Sequence, residues 1–355
     1  MTTYAKNKVI IQSHDGKTTQ VLSGLDFSTF QLTITKNEAY QLDFTANDDG
    51  SVGFNLLTVE NIVIYDGQKY VIKQVTDDNT DGKHTITVTA MHIFYQLNNI
   101  FQFNVKTGDN SFTLTQALKF LFNGVSGGYS YRINGTFNSS KTLTDFGNTS
   151  VVEGLSTLKD AFNVYAIVPD NMTINLYDEK SYVKKTYKAF RYRHDTSSMQ
   201  LQYDSSTMVN RVQAVSTAET PAFSPFIVQD NDSISKWGVH DGARVESDSI
   251  TDTNAMKTLA SQSFILEPTI SITVVSTEND GVAIGEQWHV LLPDSALSTA
   301  VEVVSVVTMP LATTAVQVTL NNNRSNFLDA QRVKSEDLKQ ASGKSSMPMW
   351  VIGEV

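Results

Sequence analysis

The sequence predicts a mainly β protein with α+β inserts, built as two pseudo-equivalent antiparallel β-barrel domains plus smaller α+β domains. Three observations carry that expectation. Charged residues make up only 18% of the 355 positions, while Thr, Ser, Asn, Val and aromatics abound, the composition of a β-rich surface with many polar turns. Apolar residues alternate at period two through most of the chain, and helical spacing is confined to short windows. A strand, turn, strand, turn, strand layout occurs at 61–90 and again at 285–320, and is read as a weak internal pseudo-repeat of two related barrels.

A chain this long accommodates two or three domains, each with a core that needs no staple. Cysteine is absent, which removes disulfide frameworks, thiolate nucleophiles and Cys-bearing zinc sites together. The balance of 27 Lys and Arg against 37 Asp and Glu gives a net charge of −10, so there is no basic footprint to neutralise phosphates and specific nucleic-acid binding is disfavoured. No stretch reaches the ~20 apolar residues of a membrane span, and the opening MTTYAKNKVIIQS lacks the apolar core of a signal peptide.

The first β region takes in residues 1–95. Val9 to Gln12 and Thr18 to Leu22 flank Ser13-His14-Asp15-Gly16, a strong hairpin signal. Tyr40, Leu42, Phe44 and Ala46 alternate with polar partners, so one face is buried. NIVIY (61–65), a tight turn at Asp66-Gly67, QKYVIKQV (68–75) and HTITVTA (84–90) form a three-stranded meander, closed by a short helix over MHIFYQL (91–97). Residues 96–186 read as an α+β insert. Thr113 with Gln116, and Ser150 with Glu153, are capping-box patterns. They precede apolar stripes at Leu114, Ala117, Leu118, Leu121 and Phe122, and at Val151, Leu155, Leu158 and Phe162. Strand-like runs lie at 129–134 and 172–178.

The second β region spans 187–322, of which 187–216 either completes the first barrel or begins the second. A helix is expected over 252–264 with Ala255, Met256 and Leu259 on one face. Residues 323–355 are expected to hold a polar helix or linker at 325–340, with Ser325 as N-cap, and then a tail that is apolar around Trp350, Val351 and Ile352. That tail either adds a strand to a neighbour or packs at a subunit contact, or else is a frayed terminus.

The motifs with chemical letters have simpler structural readings. GVSGG (124–128) has the letters of a nucleophile elbow around Ser126, but a helix precedes and a strand follows, so Gly124 reads as a helix stop. DDNTDG (77–82) places Asp77, Asn79 and Asp81 as in the first half of a calcium loop, yet position twelve is Val88, and an acidic β-turn is the reading taken. His14, His84, His92, His194, His240 and His289 never fall at paired metal-ligand spacing. His92 and His289 read as packing residues, and His194-Asp195 and His240-Asp241 as strand neighbours that point to opposite faces. Sequons at Asn134, Asn138, Asn148 and Asn171 read as Asn-rich loops. No catalytic residue, cofactor site or metal ligand is assigned, and the chain is expected not to be an enzyme.

At MHIFYQLNN, following the YDGQKYVIKQV meander, the chain resembles the tail-associated lysins or prophage endopeptidase tail proteins of phages of Gram-positive hosts. The likeness continues in order through SVVEGLSTLKDAF (150–162), FRYRHDTSSMQLQYDSSTMVNRVQAV (190–215), IGEQWHVLLP (284–293) and AVEVVSV, and spans roughly 1–325. It implies the fold of a baseplate hub, with three chains presenting six barrels in a pseudo-sixfold ring. The implied role is a homotrimeric structural hub at the tail tip of the virion, assembled in the host cytoplasm, which closes the tail tube and opens for DNA ejection. The implied partners are the distal tail protein ring, the tape-measure protein and receptor-binding or other baseplate proteins. Longer relatives carry a cell-wall hydrolase beyond this region, so a short form without it is expected here. The alternatives are a peptidoglycan hydrolase acting within this chain and a carbohydrate-binding tail adhesin.

Overall fold

The computed structural model describes residues 8–125, 127–191, 196–276, 281–292, 297–312 and 316–321. It opens on the hairpin of β1 (Ile10–Gln12) and β2 (Thr19–Val21), with Ile10 opposite Val21. Ser13 organises the turn: its Oγ accepts from the Thr18 amide at 3.0 Å and donates to Asp15 at 2.6 Å, and Gly16 supplies a φ of +72°. Next come β3 (Gln31–Thr35) and β4 (Ala39–Asn47), where Leu42, Phe44 and Ala46 are buried and their alternates are not. After α1 (Val52–Asn55), the strands β5 (Ile62–Tyr65), β6 (Gln68–Thr80) and β7 (Lys83–His92) make the expected antiparallel meander. Both of its connections are Asp-Gly pairs, 66–67 and 81–82, with positive φ at each residue, the combination that matches the twist of the flanking strands. Phe30, Leu42, Phe44, Phe54, Ile72 and Val88 fill the core beneath.

A 3₁₀ helix (Ile93–Asn99) leads into β8 (Phe101–Phe112), α2 (Leu114–Leu121), β9 (Ser130–Asn134), β10 (Lys141–Ser150), α3 (Val151–Phe162), β11 (Ala166–Asp170), β12 (Thr173–Tyr177) and α4 (Glu179–Tyr182). Both capping boxes form, and the predicted stripes of α2 and α3 are buried apart from half-buried Phe122. Gly154 lets the two helices close together, since a Cβ there would stand 2.4 Å from a methyl of Leu121. β9 pairs parallel with β12, which pairs antiparallel with β11, and β8 and β10 form a separate two-stranded ribbon. The long strands β8 and β10 and the strand β11 were not anticipated from sequence.

The chain continues through β13 (Lys184–Arg191), β14 (Thr196–Asp204), β15 (Arg211–Ser216), β16 (Phe226–Gln229), α5 (Asn231–Trp237), β17 (Val245–Ser247) and α6 (Thr253–Ser261). It ends in β18 (Thr269–Ser276), β19 (Glu286–Leu292), β20 (Leu297–Thr308) and β21 (Val316–Asn321). The chain divides into two compact units. Among the described residues one takes in 8–198 and 274–320, and the other takes in 199–273 and 321. The second unit holds a small sheet ordered β16-β15-β17, with α6 packed on it through Met256 and Ala260. Ala255, expected on that face, is exposed.

The mainly β class with an α+β insert holds, but two closed barrels are not what the strands build. The early and late meanders are joined edge to edge where β20 pairs antiparallel with β3, Ser305 lying opposite Thr35. The result is one thirteen-stranded sheet, ordered β14-β18-β21-β20-β3-β4-β7-β6-β5-β1-β2 with β19 and β13 branching from β20, and among the described residues it does not close. The expected helix or linker at 325–340 with Ser325, and the tail around Trp350, Val351 and Ile352, lie outside the described residues.

Candidate functional site

The motif residues resolve into structural roles. Asp77 to Thr80 continue β6 and Asp81-Gly82 make the tight turn, so the calcium-like letters spell a hairpin whose side chains alternate across a strand. Gly124 has a φ of +80° just past α2, as a helix stop requires. Ser126 lies outside the described residues, as do His194 and Asp195. Asp241 is committed to Arg211 in a two-pronged ion pair at 2.6 and 2.8 Å, while His240 Nε2 lies 3.3 Å from the Trp237 carbonyl, so these neighbours form no acid–base pair. His92 is 1% exposed; its Nδ1 accepts from the Phe94 amide at 3.2 Å and starts the 3₁₀ helix, and burial pushes its pKa down to about 4. His289, read from sequence as a packing residue, is exposed on β19, because Trp288 and Val290 take the inward positions of that strand.

Two polar constellations escaped the sequence reading. Lys36, in the turn between β3 and β4, lies 2.8 Å from the Glu302 carboxylate, with both groups under 10% exposed. Its ammonium sits 3.7 Å above the Tyr165 ring, and the Tyr165 hydroxyl donates to the other oxygen of Glu302. Beside it, the Asn37 side chain donates to the Tyr165 carbonyl at 3.1 Å and accepts from the Ile167 amide at 2.7 Å. One junction thus ties β3–β4, β11 and β20 together. No periodicity signals it, because its members come from three distant segments.

The second constellation is His84. Its Nδ1 lies 2.7 Å from Asp48 and its Nε2 lies 3.0 Å from Asp77, and its ring meets Phe54 edge-on at 5.0 Å. Hydrogen bonds to the two carboxylates, Asp48 foremost, raise the imidazole pKa above its ordinary value. The carboxylates sit on opposite ring nitrogens and so cannot converge on one cation. His84 also borders a cavity of about 370 Å³ lined by Phe54, Leu57, Val59, Val75 and Ile86.

Several large apolar side chains face solvent. Phe101, Phe103 and Val105 stand on β8 at alternate positions and are exposed, Phe103 to 79%. Tyr187 on β13 and Phe27, before β3, are exposed as well. The Phe-x-Phe-x-Val run was the available signal, an alternation that faces solvent. Among the described residues no helix is long and apolar enough to cross a membrane, and no group of three or more His, Asp or Glu side chains is arranged to hold a metal ion.

Comparison with known proteins places this geometry. The family model of the prophage endopeptidase tail N-terminal domain matches residues 9–92, and that of the prophage endopeptidase tail matches 184–331. Prophage tail protein gp18 from Listeria monocytogenes is similar in structure, with a TM-score of 0.72 at 22% identity over 94% of this chain and 100% of that one. The 43 kDa tail protein of prophage MuSo2 from Shewanella oneidensis gives 0.63 at 12% identity over 90% and 99% of the two chains. A tail protein from Neisseria meningitidis gives 0.61 at 12% identity over 90% and 97%. No curated protein sequence matches the chain.

Proposed function

From the premise that this chain belongs to the prophage endopeptidase tail family, we propose that it is a structural hub at the tip of a phage tail. In this reading three copies surround the end of the tail tube, dock on the distal tail ring, meet the tape-measure protein and the receptor-binding or other baseplate proteins, and open for DNA ejection. The observation that carries it is the family match at both ends of the fold, 9–92 and 184–331, on a chain whose backbone follows a prophage tail protein over 94% of its length. The division of the chain into a first β region, an insert from 96, a second β region from 187 and a C-terminal segment from 323 belongs to the same proposal. A threefold hub does not require two closed barrels. It requires copies that meet around one axis.

The role is non-enzymatic in this reading, with the surfaces of the chain serving contact. Its net charge of −10 suits a conduit, since an acidic wall repels the DNA backbone and keeps it moving. Closure and opening need contacts that differ between two states of the trimer. Gold-labelled antibody raised against the chain, applied to negatively stained particles, should mark the tail tip; label along the tail shaft or on the head would overturn the assignment. Release of muropeptides from purified peptidoglycan by the isolated protein would instead favour a hydrolase.

A further inference from the structure

On this acidic chain β13 is a basic stretch: Lys184, Lys185, Lys188 and Arg191 fall within eight positions that hold no Asp or Glu. Among the described residues β13 pairs only with β19, so one of its edges is open, and its ladder is irregular between Lys185 and Ala189. Thr186 turns inward at that irregularity. Its Oγ1 donates to the Gln287 carbonyl at 2.7 Å and accepts from the Lys188 amide at 3.3 Å. Tyr187 is thereby turned outward and is fully exposed, with Lys184 and Lys185 exposed before it. Lys188 is held by Glu286 at 3.1 Å and lies over the Trp288 ring, so the two leading lysines are the ones left to meet a partner.

The cavity beside His84 has the opposite character. Phe54 and Leu57 are buried in its floor, Val59 is exposed on its rim, and its polar side is Asp77 and His84 with Asp48 behind the imidazole; no Lys or Arg lines it. Two carboxylates on one imidazole leave a net negative charge even when the ring is protonated. A volume of about 370 Å³ has room for one aromatic side chain, and an apolar floor with an acceptor at the rim suits a phenol, whose body is apolar and whose tip donates.

The exposed ring between lysines and the acid-rimmed apolar hole are different surfaces of one chain, and their charges are opposite. Such a pair makes a head-to-tail contact between copies, which closes into a ring when the rotation it imposes fits a threefold axis. We infer that Tyr187 of one copy, flanked by Lys184 and Lys185, seats in the cavity formed by Phe54, Leu57 and Val59 of the next copy. The inference rests on the trimeric reading above and names the contact that holds the trimer together.

The chain has no cysteine, so an introduced pair reports on one contact alone. Tyr187→Cys with Val59→Cys, in the full chain under mild oxidation and with the ring partner if assembly needs it, should give denaturing-gel bands near two and three times 39.2 kDa that vanish on reduction. Either cysteine alone should give none. Tyr187→Ala should keep the far-UV circular dichroism of the parent while the trimer dissociation constant rises at least about tenfold. Lys184→Glu with Lys185→Glu should weaken assembly likewise, and adding Asn55→Lys and Thr58→Lys on the cavity rim should restore most of it. A parent trimer whose paired-cysteine form gives no such bands, bands from Tyr187→Cys alone, or a folded Tyr187→Ala chain that assembles as tightly as the parent overturns this contact and leaves the trimer standing. Lost assembly that the rim lysines do not restore also overturns it. A parent chain that is monomeric both alone and with its ring partner defeats the trimeric reading itself, and the contact with it.

Discussion

An imidazole with a carboxylate on each nitrogen is satisfied only when doubly protonated, and His84 is held in that way between Asp48 and Asp77. The tie fastens the end of the β6–β7 hairpin to the segment after β4. Because the folded pKa of His84 is raised, its contribution is complete below the unfolded value of about 6.5 and fades as pH climbs through the folded value. At the acid end the tie is lost when Asp48 protonates, a group held below the usual carboxylate range by the Gly50 amide and by His84. Titration followed by NMR should place His84 above the ordinary histidine range, and Asp48→Asn with Asp77→Asn should return it there. An ordinary or lowered value in the parent would contradict the geometry. The Lys36–Glu302 junction makes a sharper claim about stability. Glu302→Gln removes the charge that balances a buried ammonium and should cost about 3–5 kcal/mol in urea unfolding, whereas Lys36→Met with Glu302→Leu should recover most of it. A single variant as stable as the parent would show the pair to be dispensable.

At the scale of elements, the strands and helices with local signals were legible. Asp66-Gly67 and Ser13 to Gly16 announced their hairpins, and the capping boxes of α2 and α3 formed at the residues expected because their hydrogen bonds reach only three positions along the chain. The β8–β10 ribbon was missed because its ladder is irregular. Its register shifts between Thr144 and Phe146 and again between Gly147 and Thr149, and these bulges break the alternation that a strand reading depends on. Asp145, Gly147 and Asn148 all take positive φ there, and a Cβ on Gly147 would stand 1.9 Å from the Asn104 carbonyl oxygen. Gly147→Ala should therefore destabilise the protein by about 1–3 kcal/mol, read as a lower denaturant midpoint. An unchanged midpoint would mean that the ribbon adds little to the fold.

At the scale of the whole molecule, the sequence exposed two meanders but not how they meet. Period-two patterning says that a segment is a strand and which face is buried; it does not name the partner, and β3 finds β20 across some 270 positions of chain. Reading similar layouts as separate closed barrels was the natural inference from local pattern, and the β20–β3 pairing replaces it with one continuous sheet. The candidate site was less legible still, since the exposed apolar run on β8 carries no catalytic spacing, and which of its residues face solvent is known only from the fold. The claim on which the account depends is that copies of this acidic chain assemble around a common axis. Light scattering coupled to gel filtration, on the chain alone and with a distal tail ring protein, measures this most directly. The account predicts a particle of three times 39.2 kDa, about 118 kDa, alone or once the ring partner is present, and a mass that stays at one chain in both cases would contradict it.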